Sequence, residues 1–123
     1  LDLIDNVPNA ECLARKRACH ALFDHMQGYY GVSSLEGLSQ GIPVIAGLNE
    51  WNRRHVCEFS GAAECDLPWV LAHDRQGLEA ALRLLAGDRA LCREIGAASR
   101  RFVDERWSEA KVAARLMDFW ETL

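Results

Sequence analysis

The sequence predicts an α/β fold, a Rossmann-like parallel sheet flanked by helices. Three observations carry that expectation. Short apolar runs at 20–23, 43–46 and 67–72 alternate with longer stretches of helical periodicity. The middle run, Pro43-Val-Ile-Ala46, is apolar throughout, as strands covered on both faces are. Each run is followed by a loop, at 25–32, 47–50 and 73–75. Ligands of such sheets bind beyond the carboxyl ends of the strands. The three loops are therefore expected to gather at one edge.

The elements follow in order. Leu1 to Ile4 reads as a short strand, and Asp5-Asn-Val-Pro-Asn9 as a turn. Pro8 suits a first helical turn, Asn6 or Asn9 can cap it, and Lys16-Arg17 suit its basic end. His20 to Phe23 is the next strand, ending at Asp24. A glycine-bearing loop then leads into a helix expected over 33–40, with Glu36 in its first turn and Gly41 as its stop. Pro43 to Ala46 is a strand, and a helix is expected over 50–59, broken at Ser60-Gly-Ala-Ala63. Leu67 to Ala72 is the last strand. Asp74 caps a helix with Leu78, Ala81, Leu82 and Leu85 on one face. Leu91, Ile95, Ala98 and Phe102 give the next helix a core face. Ser108 caps a final helix expected to turn Val112, Leu116, Phe119 and Trp120 inward. Trp51, Trp69 and Trp107 are also expected in the core.

Composition narrows the function classes. A chain of 123 residues is long enough for one domain with a modest core. A net charge of −4 argues against a nucleic-acid or anionic-membrane surface. Cys12, Cys19, Cys57, Cys65 and Cys92 are odd in number with no C-x-x-C pair. They point to free thiols and a cytoplasmic setting. No run of about 18 apolar residues is present, so no membrane span is expected. His20, His55 and His73 are scattered and make no four-ligand zinc spacing with Cys57 or Cys65. No Ser-His-Asp order stands out. The chain opens on a strand-like run without Met, which suggests a piece of a longer protein.

The stretch Asp24 to Ala46 organises the rest. Gly28 and Gly31 allow backbone to approach a ligand closely. Ser33 and Ser34 open a helix whose free N–H groups suit an anion. The run Gly28-Tyr-Tyr-Gly31-Val-Ser-Ser-Leu-Glu36-Gly-Leu-Ser-Gln-Gly41-Ile-Pro43-Val-Ile resembles the donor-binding signature of group 1 retaining GT-B glycosyltransferases, E-G-F-G-x-x-x-L-E-A-x-A-x-G-x-P-V-I. The tail, Arg101-Phe-Val-Asp-Glu-Arg-Trp107-Ser and the helix ending Phe119-Trp120-Glu121, resembles that family's C-terminal helices.

The resemblance spans nearly the whole chain and implies that residues 1–123 are part of the C-terminal, nucleotide-sugar-binding domain. It implies a sugar transferred from a nucleoside diphosphate with retention, without a metal, the leaving group being stabilised electrostatically. Glu36 would hold the ribose, with Gly31, Val32, Ser33, Ser34 and Leu35 around the phosphates.

Two departures limit what carries over. The family's first glutamate, eight positions before the second, is replaced by Gly28, or by Gln27 if the loop carries one insertion. Asp24-His25 stands where a branch of the family has Asp-Gln, so both are site candidates. The basic pair that grips the diphosphate is absent, and Lys16 and Arg17, on another helix, are not expected to replace it.

The same side chains also have structural readings. Asp24 can close a strand-end turn, Ser33 or Ser34 can cap the helix, and Tyr29 and Tyr30 can pack rather than stack on a base. The alternatives are a sugar-nucleotide epimerase of the same fold and a non-enzymatic nucleotide-binding or interaction module. The expected partners are the nucleotide-sugar donor and an N-terminal acceptor domain. Three strands numbered four to six of a doubly wound sheet would leave 20–24 with a bare edge, covered by a second copy in a homodimer, by residues 1–4, or by the earlier part of a longer parent.

Overall fold

The computed structural model describes residues 1–123. All three internal apolar runs form strands, shorter than expected: β1 at Leu22–Phe23, β2 at Val44–Ala46 and β3 at Trp69–Leu71. They pair in parallel in the order β1-β2-β3, with Leu22 opposite Val44 and Val44 opposite Trp69. Six helices surround them: α1 at Asn9–Arg17, α2 at Val32–Ser39, α3 at Glu50–Ser60, α4 at Arg75–Gly87, α5 at Arg89–Arg106 and α6 at Glu109–Glu121. A 3-10 turn at Glu64–Asp66 precedes β3.

The alternation of β2 divides the core. Val44 and Ala46 join Leu38, Leu48, Val56, Trp69 and Phe102 on one face of the sheet. Ile45 joins Ala72, Ala81, Leu85 and Cys92 on the other. A period of two in a strand covered on both sides requires this split. The tightest approach joins α2 to α5. A Cβ on Gly96 of α5 would overlap the carbonyl oxygen of Gly41, the residue in the left-handed conformation (φ 72°) that ends the α2 turn.

Four expectations are corrected. Leu1–Ile4 is not a strand; Leu1 and Leu3 are exposed, and Asp2 pairs instead with Arg15. The outer edge of β1 is left without a strand partner. Trp51 is 62% exposed, because the face of α3 that reaches the core is the one carrying Val56. Leu82 is exposed while Ala81 and Leu85 are buried, so the inward stripe of α4 is narrower than its sequence. In α6, Leu116, Phe119 and Trp120 are all exposed and only Val112 is half-buried. Amphipathicity orients a helix only where an apolar surface faces it, and here the stripe stays exposed.

Candidate functional site

The site grows from the end of β1. Pairing with β2 continues past it: the Asp24 amide donates to Ile45 O (3.0 Å), Gly47 to His25 O (2.9 Å) and Asn49 to Gly28 O (2.7 Å). Asn52 Nδ2 donates to the same Gly28 carbonyl at 2.9 Å. Gly28 has φ 95°, and a Cβ there would lie 2.9 Å from Asn49 Nδ2. Its glycine is thus favoured by the left-handed backbone conformation. Gly47 sits where a Cβ would come within 2.8 Å of Met26 Cα and 2.7 Å of Ala72 O. The loops after β1, β2 and β3 therefore do meet at one edge.

The start of α2 lies at that edge. The helix begins at Val32, one residue earlier than expected, with Gly31 as N-cap and no cap from Ser33 or Ser34. The capping oxygen comes from Asp24 instead. Its Oδ2 accepts from the Gly31 amide at 2.8 Å and from Ser34 Oγ at 2.6 Å. Asp24 is nearly buried and Ser34 fully so. A carboxylate there is favoured by the helix dipole and satisfies a buried hydroxyl. The amides of Val32 and Ser33 precede any intrahelical acceptor, and no loop carbonyl or side chain takes them.

Glu36 lies one residue beyond the first turn, not inside it. Its Oε2 accepts from Lys16 Nζ at 2.5 Å, and the same ammonium donates to Ser33 Oγ at 2.8 Å. The Lys16 side chain is 5% exposed and that of Glu36 25%. Glu36 Oε1 accepts no bond from the protein, and the side chain is a quarter exposed. Lys16, set aside on sequence because it lies on another helix, is therefore a member of the cluster. No local signal announces it, since its partners are 17 and 20 residues away and only the packing of α1 on α2 joins them.

The other candidates divide. His25 packs against Tyr29 with the rings tilted at 56° and their centroids 4.3 Å apart, and lies 3.8 Å from Asp24 Oδ2. Tyr29 is exposed and its hydroxyl donates to Gln27 Oε1 at 3.0 Å. Tyr30 turns inward against Trp69 (5.1 Å) and Trp107 (6.3 Å), where burial raises its pKa. Leu35 packs on the core and Val32 is exposed. No serine hydroxyl bonds a histidine, and no group of three or more His, Cys, Asp or Glu side chains gathers in the chain. The arrangement offers amides for an anion and a carboxylate oxygen for a hydroxyl.

Two hollows lie elsewhere. One of about 460 Å³ is lined by Phe59, Glu105 and Arg115 between α3, α5 and α6. The other, about 420 Å³, lies between the Cys65–Val70 segment and α5. Neither is lined by any residue of the Gly28–Ala46 stretch; the first is lined by Arg106, Lys111 and Arg115 beside Glu105 and Asp118. Comparison with family models, curated proteins and solved structures finds no match to this chain.

Proposed function

We propose that this chain is the nucleotide-sugar-binding part of a retaining, metal-independent glycosyltransferase of the GT-B type. One observation carries the reading. The Gly28–Ile45 signature forms a strand-end loop and a helix start at the carboxyl edge of a parallel sheet. There, Ser33 and Glu36 lie within reach of one ammonium. The Val32 and Ser33 amides would face the diphosphate, and Glu36 Oε1 would accept from a ribose hydroxyl. Asp24, with Gly31 and Ser34, would hold the helix start in place for them. Gly28 would shape the loop, and His25 with Tyr29 would flank it. The sugar acceptor would be bound by the other domain of such an enzyme, so the chain alone is expected to bind donor without transferring sugar.

Titration of the 123-residue chain with UDP, GDP, ADP and their sugar conjugates tests this. At least one is expected to bind, and Glu36→Ala is expected to weaken it by about 1–3 kcal/mol, the range for a charged hydrogen bond. Silence from all of them at millimolar concentration, by calorimetry and by NMR, would remove the reading.

A further inference from the structure

A buried ammonium is costly unless it is paired. Lys16 is buried, and both of its partners, Ser33 Oγ and Glu36 Oε2, belong to the candidate site rather than to the core. We infer that Lys16 is a positioning residue that neutralises Glu36, so that one helix start can accept a ribose hydroxyl and a diphosphate together. The inference rests on the donor-binding reading of the same site.

The two tasks conflict without it. Glu36 lies about one helical turn, some 5.4 Å of rise, from the free amides of Val32 and Ser33. A bare carboxylate at that separation repels a phosphate, and partial burial leaves the repulsion poorly screened. Lys16 cancels that charge from the α1 side. By bonding Oε2 it also leaves Oε1 as the oxygen without a protein partner.

The role makes a prediction that fold support does not. An uncharged nucleoside is insensitive to the charge of the pair, whereas its diphosphate is sensitive. The readout is therefore the ratio of diphosphate to nucleoside affinity, by NMR titration with uridine, guanosine and adenosine and the diphosphate of each. Lys16→Met is expected to lower the ratio by about tenfold, the order for one uncompensated charge near an anion. Lys16→Arg should keep the wild-type ratio. Glu36→Gln, which leaves the ammonium unpaired, should raise it, and Lys16→Met with Glu36→Gln should return it toward wild type.

If Lys16→Met does not fold, the Glu36→Gln chain and the double variant still decide, since the single must show the higher ratio. Equal ratios in those two variants, or a parallel loss of nucleoside and diphosphate in Lys16→Met, would overturn the role while leaving donor binding intact. A wild-type chain that binds neither ligand would remove both.

Discussion

The helices α2 and α6 make an instructive pair. The first has 8 residues and no side-chain cap of its own, yet it is held from every side. Asp24 caps it from β1, Lys16 grips it from α1, and Gly37 lets it lie flush on the sheet. A Cβ on Gly37 would come within 2.8 Å of Val44 Cγ2 and 2.9 Å of Leu22 Cδ2. The second has 13 residues, a Ser108 cap and an apolar stripe, yet Leu116, Met117, Phe119 and Trp120 stay exposed. Local helix signals set where a helix begins and ends, whereas close backbone approach and cross-chain polar bonds set how firmly it is held. The candidate site lies on the firmly held helix, where its donors need no reordering to meet a ligand.

Breaking the α2 side should have the largest effect. Gly96→Ala pushes a methyl group into the Gly41 carbonyl, which is backbone and cannot turn aside. The loss should be about 3 kcal/mol, the upper range for overpacking, read from the urea midpoint.

Asp24→Ala comes next. It strands the buried Ser34 hydroxyl and uncaps the Gly31 amide. The expected cost is about 1–3 kcal/mol, with faster amide exchange confined to α2. If the stranded hydroxyl carries part of that cost, Ser34→Ala combined with Asp24→Ala should cost less than Asp24→Ala alone, and the difference is the hydroxyl's share.

Tyr30 sharpens the comparison by pH. Burial raises its pKa, so the folded state keeps the phenol proton where the unfolded chain has lost it. Its contribution is intact below the ordinary tyrosine pKa of about 10 and fades as pH rises through the raised folded value. Between about pH 10 and that raised value, stability should therefore fall less steeply in Tyr30→Phe than in the wild-type chain, by thermal melts across the alkaline range.

The smallest effect belongs to α6. Phe119→Ser and Trp120→Ser remove exposed side chains and should change stability by no more than about 0.5 kcal/mol. A loss well above that would mean that the stripe is covered in solution, and light scattering would then show whether a second copy covers it.

Much of the architecture was legible because its causes are local. The apolar runs marked the three strands, Gly41 and Gly61 take the left-handed conformation that ends a turn, and Asp74 and Ser108 cap the helices they precede. The parallel order β1-β2-β3 follows from strands joined by helical crossovers. Residues 1–4 do not form a strand although the edge of β1 is open: Leu1 and Leu3 stay exposed, and Asp2 is drawn to Arg15 of α1 instead.

The sequence by itself therefore determined the α/β class, the strand positions, the helix boundaries to within a residue or two, and the edge at which the loops meet. Those features depend on side-chain periodicity, backbone conformation and caps, all of which act over a few neighbouring residues. Only the tertiary structure decided that Lys16 faces Glu36 across 20 residues, that Asp24 caps a helix starting eight residues later, and that the stripe of α6 lies bare. Each depends on which surface a folded neighbour presents, and no local pattern encodes that.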